Sequence, residues 1–470
     1  MAISDFDKTR FSNQEYILND ICTRHIDGKL LLTTDCGGWA ILDKNEYDLL
    51  IRYELSDELF KLLEEKCIII TQANLRRIVE LQQNRLSFLF RGVSLHILVS
   101  TLRCNQKCIY CHSSAMNSGK KEYDMNADTA KKILEFIFQS PSKILTIEFQ
   151  GGETSLNPDL LKCVVNTAKE MNKTHQKNIG FSLVTNLTQI STDIIDWLVA
   201  EGVGICTSLD GPKEVHDSNR KYENGSGTHD DVINMLNLTK KVHGKQVAAL
   251  MVTTRQSLPY WKEIIDEYVK TGIPEIQIKY INKLGFAQNS WQQIEYTIEE
   301  FIEFWQKSMD YIIELNKKGV NIRERYASFI MKKLLTTRDP SFLDFRNPCG
   351  IVSGQLAYNY NGDIYCCDEG RNYEIFNLGN VFTSKLTDVM LSEQSRQLIQ
   401  SSMLENYACD NCAYKPYCGT CPVINYAETG NIIPNLSTNS KCKLHKAQFD
   451  YIFRKLLDKD SRKILFGWVR

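Results

Sequence analysis

Residues 94–113 read SLHILVSTLRCNQKCIYCHS. An apolar, β-branched run from Leu95 to Thr101 passes directly into a loop bearing Cys104, Cys108 and Cys111. The run predicts a strand. The loop sets three thiols at C-x3-C-x2-C spacing just past that strand's C-terminal end, where parallel α/β sheets and barrels collect their ligands. Three thiolates can hold three irons of a cubane [4Fe–4S] cluster and leave the fourth iron open. A closed electron-transfer cluster or a structural zinc site ordinarily takes four protein ligands.

Outward from this stretch the pattern repeats. Short apolar runs recur at 95–101, 144–149, 179–185, 203–209, 246–253 and 275–280. Between them lie segments of helical period. In 126–139, Ile133, Leu134, Ile137 and Phe138 share one face, with Asn126 or Asp128 as the cap. In 191–200 the cap is Ser191. Strands alternating with helices predict a parallel α/β sheet, either a partial barrel or an open doubly wound sheet. Residues 297–335 read as long amphipathic helix, and short strands, turns and dense Cys follow 345. Upstream, about 15–90 reads as a small α/β unit. LLLTTD and WAIL are its strands around a Cys36-Gly37-Gly38 turn, NEYDLLIRYE and DELFKLLEEK its helices, and CIII a last apolar run. The boundaries predicted are 1–90, 91–340, 341–450 and a tail helix at 451–470.

The chain has 470 residues, 43% hydrophobic and 24% charged, which excludes a disordered or low-complexity protein. With 56 Lys+Arg against 57 Asp+Glu, bulk charge points to neither nucleic acid nor an anionic membrane as partner. No segment approaches the ~18–20 apolar residues of a membrane span. The first twenty residues hold no apolar core of a secretory signal, so the expected location is cytoplasmic. In a reducing compartment, 16 Cys argue for metal ligation where they cluster. Cys22, Cys36, Cys67, Cys163 and Cys206 are scattered and read as small buried residues. The other eleven form the loop at 104–111 and a second group between 349 and 442.

The Cys loop, with Tyr110 before Cys111, resembles the CxxxCxΦC signature of the radical S-adenosylmethionine superfamily. The resemblance extends through the alternating segment. Gln150-Gly151-Gly152-Glu153 follows the second strand. It resembles the GGE turn that contacts the cofactor's amino group, where glycines admit the backbone and a carboxylate suits an ammonium. Thr185-Asn186 ends the third strand and Ser208-Leu209-Asp210 the fourth, where the family sets polar groups on the cofactor's ribose and carboxylate. His216-Asp217-Ser218-Asn219-Arg220 resembles its HDxxR stretch, with Arg220 toward the carboxylate. The fold implied is a partial (β/α)6 TIM-like barrel with a small N-terminal α/β, winged-helix-like unit and a C-terminal Cys-rich domain.

That last domain resembles the SPASM extension of peptide-modifying members. Cys349 is followed by twelve residues, then Gly362 and Cys367; next come Cys409-x2-Cys412-x5-Cys418-x2-Cys421, and finally Cys442. The third spacing is x2 where the commonest form has x3. By position, Cys409, Cys412, Cys418 and Cys442 would bind one auxiliary [4Fe–4S] cluster, and Cys349, Cys367 and Cys421 another. The position six residues before Cys349, often a fourth ligand, is Leu343. The nearer cluster would then have an open iron or be completed by Cys366. A zinc ribbon is the alternative for the quartet taken alone.

Asp368 follows Cys367, and in the similar anaerobic sulfatase-maturing enzymes an Asp there takes the substrate proton. The N-terminal unit resembles those that hold a leader peptide on a strand edge, which would lie in or near Lys29–Thr34. The layout, the DEGR stretch (Asp368–Arg371) and KPYCGTCPV also resemble the maturase of the His-Xaa-Ser peptide system. The function implied is that of an enzyme. A reduced cluster, fed by a donor such as flavodoxin or ferredoxin, cleaves S-adenosylmethionine to a 5′-deoxyadenosyl radical that takes hydrogen from a ribosomally made precursor peptide. The rivals are a modifier of a folded protein such as a sulfatase, and a non-catalytic, metal-stabilised peptide-binding scaffold.

Overall fold

The computed structural model describes residues 16–337, 339–340 and 342–469. The reading of the first twenty residues, and the start of the 1–90 unit, fall mostly on 1–15, outside the described residues.

The N-terminal unit is built on three antiparallel strands, Ile21–Ile26 (β1), Lys29–Thr34 (β2) and Trp39–Leu42 (β3), in that order across the sheet. Helices Lys44–Arg52, Asp57–Glu65 and Leu75–Leu86 follow. The first is fixed by a reciprocal box between Asp43 and Glu46, the second by the Ser56 hydroxyl. Gly37 turns β2 into β3 at φ +87°, donating to the Thr34 carbonyl. One expectation is corrected. Lys29–Thr34 is the central strand, not an edge, because Ile21–Ile26 pairs along its whole length. The polar segment after Asn74, which leads into the barrel, is the third of these helices. β2 reads KLLLTT because this central strand is buried on both faces from Leu31 onward. Leu32, with Ala40 and Leu42, packs on the unit's own helices, while Leu31 and Ile26 enter the core of the rest of the molecule.

The six expected runs form the parallel strands of the main sheet: Leu95–Thr101 (β4), Ile144–Gly151 (β5), Asn178–Val184 (β6), Gly204–Ser208 (β7), Ala248–Val252 (β8) and Ile278–Lys279 (β9). Helices Ala127–Ile137, capped by Asn126, and Thr192–Ala200, capped by Ser191, pack between them as expected. The sheet does not stop at β4. Gln355–Tyr358 (β10) adds to it in parallel, and Asp363–Tyr365 (β11) and Asn377–Asn380 (β12) continue antiparallel, giving nine strands. His96 Nδ1 meets the Tyr358 hydroxyl at 2.9 Å inside this seam. The C-terminal domain thus shares a sheet with the barrel.

Three further readings change. The run 275–280 splits, its first half pairing Glu275–Ile276 with Arg323–Glu324. Residues 297–335 form two helices, Ile298–Lys317 and Arg325–Leu335. The boundary at 450/451 falls inside one helix, Ser440–Leu457, which Asn439 starts by accepting from the Cys442 amide. That helix packs on Ile298–Lys317 through Trp305 and Tyr451, 5.3 Å between ring centres. Among the described residues no helix is long and apolar enough to cross a membrane.

Glu324 holds the split strand and the second helix together. Its Oε1 accepts from the Ile278 amide at 3.3 Å and its Oε2 from the Ala327 amide at 2.7 Å. Burial raises this carboxyl from 4.5 to about 7, with Glu275 adding to the rise and the backbone amides opposing it. A carboxyl whose folded pKa exceeds its unfolded one binds extra protons when folded, so its contribution is full below about pH 4.5 and gone above about pH 7. Glu324→Gln removes one acceptor at a cost of about 1–3 kcal/mol at pH 5. The gap in thermal midpoint between wild type and variant should narrow as pH rises to 8, and a gap constant across that range would contradict this assignment.

Candidate active site

The Cys loop leaves β4 through Arg103, which is buried and fully used. Its guanidinium meets both Asp124 oxygens at 2.7 Å, the Leu156 carbonyl at 2.9 Å and the Ser118 carbonyl at 3.0 Å. The loop is then pinned from the barrel side. Lys107 and Ile109 amides donate to the carbonyls of Lys221 (2.8 Å) and Asn219 (3.0 Å), and the Phe286 amide donates to the Cys111 carbonyl (2.8 Å).

Gly151 and Gly152 seat the neighbouring turn against this loop. A Cβ on Gly151 would lie 2.2 Å from the Thr101 carbonyl oxygen, and one on Gly152 2.1 Å from that of Arg103. The glycines are therefore required by protein backbone, whatever a ligand adds. Glu153 is wholly buried. Its Oε1 accepts from the Thr185 hydroxyl at 2.7 Å and the Ser155 amide at 2.9 Å, and its Oε2 from the Asn186 amide at 2.7 Å. It fixes the end of β6 to the turn. Asp210 is spent similarly: Tyr110 donates to its Oδ2 at 2.5 Å, Asn219 at 3.1 Å, and the Val252 amide reaches Oδ1 at 3.2 Å. Arg220 lies 5.1 Å over the Tyr110 ring and 3.4 Å from Asp210, and its Nη1 points at Cys108 Sγ, 3.7 Å away.

Tyr110, Gly151, Gly152, Thr185, Asn186, Ser208 and Arg220 line one cavity with the three loop cysteines, while Glu153 and Asp210 stand behind its wall. It opens over the C-terminal ends of β5 to β9 and measures about 1150 Å³ with its mouth included. Burial pushes the Cys108 thiol up to about 12, with Arg220 opposing, and holds the Cys104 thiol well above its ordinary range. Such thiols ionise only beside a strong cation, which iron supplies. Asn282 Oδ1 lines the same cavity and is buried with no hydrogen-bond partner among the described residues. The donor set and this orphan acceptor fit a three-thiolate cluster with a polar cofactor.

The C-terminal domain meets the barrel here. Glu369 lines the cavity together with Lys279 and Gln150, and its charge favours the Lys279 ammonium. Asp368 sits just outside it, with Oδ1 held by Arg371 at 2.6 and 3.0 Å and Oδ2 3.0 Å from His112 Nε2. Burial alone would raise the Asp368 carboxyl, but Arg371 and His112 outweigh it and hold it well below the usual carboxylate range. It is thus a weaker base than the sequence expectation needs, and its link to the cavity runs through His112, which does line it. Sequence reasoning passed over His112, Glu369 and Lys279. Their signals were present: the residue after Cys111, the residue after Asp368, and the end of the sixth strand.

The remaining cysteines gather as two groups. Cys367 raises the proton affinity of Cys349, and both raise that of Cys421; Cys412 and Cys442 raise those of Cys409 and Cys418. Cys366 Sγ is 3.8 Å from Cys367 Sγ. Leu343 is packed on Gly350, where a Cβ would lie 2.0 Å from its Cδ2. His445 Nδ1 is 3.3 Å from Cys418 Sγ.

Residues 98–268 match the Radical SAM superfamily, and residues 349–422 match SPASM, an iron-sulfur cluster-binding domain. The chain is 24% identical over 377 residues to the cysteine-type anaerobic sulfatase-maturating enzyme of Clostridium perfringens strain 13, covering 78% of this chain and 98% of that enzyme. It is 23% identical over 439 residues to the radical SAM cyclopropyl synthase TigE of Paramaledivibacter caminithermalis, covering 89% and 86%. Its fold matches that of Streptococcus suis SuiB, solved with the precursor peptide SuiA, with a TM-score of 0.53, 15% identity, and 89% and 98% of the two chains covered. The cofactors of such a chain are a [4Fe–4S] cluster, S-adenosylmethionine and auxiliary iron-sulfur clusters. Thiols, glycine turn, cavity and second cysteine domain together make this chain an enzyme of the radical SAM superfamily with a SPASM domain.

Proposed function

We propose that this chain matures a ribosomally made peptide, removing hydrogen from it inside the barrel cavity. The observation that carries the reading is the cavity itself. It is walled on one side by the Cys loop and strand ends, and on the other by Glu369 of the SPASM domain. Set in a cleft between strand ends and domain, it admits a side chain or short extended segment, not a folded domain. Bound there, the cluster and S-adenosylmethionine supply one-electron chemistry that takes a hydrogen atom from the substrate.

The chain's own residues hold and shield. Cys104, Cys108 and Cys111 are the cluster's ligands in this reading. Tyr110, Gly151, Gly152, Thr185, Asn186, Ser208 and Arg220 face the cofactor, and Glu153 and Asp210 fix that wall from behind. Cys349, Cys367 and Cys421 hold one auxiliary cluster, and Cys409, Cys412, Cys418 and Cys442 the other. Asp368 orients His112 at the mouth. A flavodoxin or ferredoxin is the class of donor expected.

Two comparisons favour a peptide over a folded sulfatase. The sulfatase-maturating relative is matched along 98% of its length yet leaves about a fifth of this chain uncovered, whereas SuiB, solved with a precursor peptide, matches 89% of it. The resemblance to the maturase of the His-Xaa-Ser peptide system points the same way. The N-terminal unit is the natural holder of a leader. Its main-chain edges are the outer strands β1 and β3, which bond to no further strand among the described residues.

Co-expression with a short peptide encoded beside the gene should give a product of altered mass. Cys104→Ala should abolish both that product and 5′-deoxyadenosine release. A peptide left unchanged while a sulfatase-derived peptide is modified would replace this reading with the folded-protein one. Release of 5′-deoxyadenosine undiminished in the variant would reject the cluster assignment.

Gly152→Ala should act differently, by geometry alone. Its Cβ cannot coexist with the Arg103 carbonyl 2.1 Å away, so the turn must move off the Cys loop. Iron bound after anaerobic reconstitution should fall at the barrel site and persist at the auxiliary ones. Full iron loading with unchanged S-adenosylmethionine affinity would show that the turn tolerates the shift.

A further inference from the structure

Away from the barrel mouth, the N-terminal unit, the barrel and the SPASM domain meet around a second cavity of about 620 Å³, its opening included. Four cations wall it: Arg85, Lys333, Arg346 and Lys415. Two are neutralised in place. Arg346 grips Asp339 through Nε at 2.8 Å and Nη2 at 2.7 Å, and Lys415 sits between Asp35 at 2.8 Å and Asp410 at 2.7 Å. The third carboxylate on the rim, Glu405, is exposed and accepts from Asn347 Nδ2 at 2.7 Å.

Arg85 and Lys333 have no such partner. Among the described residues the Arg85 guanidinium makes no hydrogen bond or ion pair, and lies 5.6 Å over the Tyr417 ring. Lys333 is 8% exposed, and its ammonium donates to the Phe345 carbonyl without meeting a carboxylate. Burial lowers the Lys333 amine to about 7, and Arg85 beside it pushes the same way, while Asp339 opposes them in part. The space Arg85 occupies is kept open by Gly37, where a Cβ would lie 1.9 Å from Nη1. A guanidinium with no hydrogen bond and an amine whose charging burial opposes both gain when an anion comes to this cavity wall.

We propose that Arg85 and Lys333 form a binding site for a small oxyanion, a carboxylate or a phosphate, at the junction of the three units. A planar guanidinium fork beside a compact ammonium matches two or three oxygens of one anionic group. Arg85 comes from the helix Leu75–Leu86 and Lys333 from the helix Arg325–Leu335, so the anion ties the N-terminal unit to the barrel.

The test uses the full chain, anaerobically reconstituted, titrated calorimetrically at fixed ionic strength with inorganic phosphate and separately with N-acetylglutamate. Saturable binding of either is expected, and the tighter one names the source of the oxyanion. Arg85→Gln and Lys333→Met should each weaken it at least tenfold with iron content unchanged. Lys333→Met should also raise the thermal midpoint of the anion-free protein, most clearly below about pH 7, because it removes a buried amine whose charging the site opposes; this readout stands even if Arg85→Gln fails to fold. Absence of saturable binding by both anions, or wild-type affinity in the variants, would overturn the site.

Discussion

The pairing of β10 onto β4 is the constraint on which the rest depends. A six-stranded open barrel ends in a strand with unpaired amides and carbonyls, which must be covered or paired. Here the edge beside the Cys loop is paired by a strand that arrives more than 250 residues later, in register from Leu95↔Gln355 to Leu98↔Tyr358. The returning strand β11 then runs straight into Cys366, Cys367, Asp368 and Glu369. One ladder of main-chain bonds thus closes the sheet and delivers the second cysteine domain to the mouth of the first. His112 and Asp368, distant in sequence, meet because of it.

Within the site the charged groups are held by one another before any ligand comes. Glu153 spends both oxygens on the end of β6, and Asp210 spends both on Tyr110, Asn219 and β8. Buried carboxylates placed this way lose little by ligand exchange and keep the wall rigid. What remains open is the set of thiols, the Arg220 guanidinium against Cys108, and the orphan Asn282 oxygen. The wall is therefore stiff where it is structural and unsatisfied where the cofactor's chemistry has to be done.

Legibility in the sequence followed the range of the interaction. The Cys loop, the glycine turn and the two helix caps are local, so spacing and residue type were enough to find them. The central role of β2 was hidden because Ile21–Ile26 carries Thr23, Arg24 and His25 and does not look apolar. Its Arg24 is satisfied instead by Asp450, far along the chain. The split at Gln277 was hidden because the carboxylate that takes up the Ile278 amide, Glu324, lies 46 residues past Ile278. Asp368 was found by its place after Cys367, but its partners Arg371 and His112, which set its basicity, could only be seen in space.

The docking of the N-terminal unit bears on what it can do for the proposed peptide. A module on a flexible linker helps chiefly by raising local concentration. This one is not so attached. Leu31 and Ile26 are built into the main core, Arg24 holds Asp450 at 2.6 and 2.5 Å, Thr33 donates to the Ala413 carbonyl at 2.7 Å, and Tyr417 donates to the Gly37 carbonyl at 3.2 Å. The central strand is buried on both faces, and the edges of the outer strands stand at a fixed offset from the barrel mouth. A leader paired there would present residues at one distance from the cavity and not at others. Selection of the modified position would then come from chain length measured along a rigid body, which a loosely tethered domain could not provide.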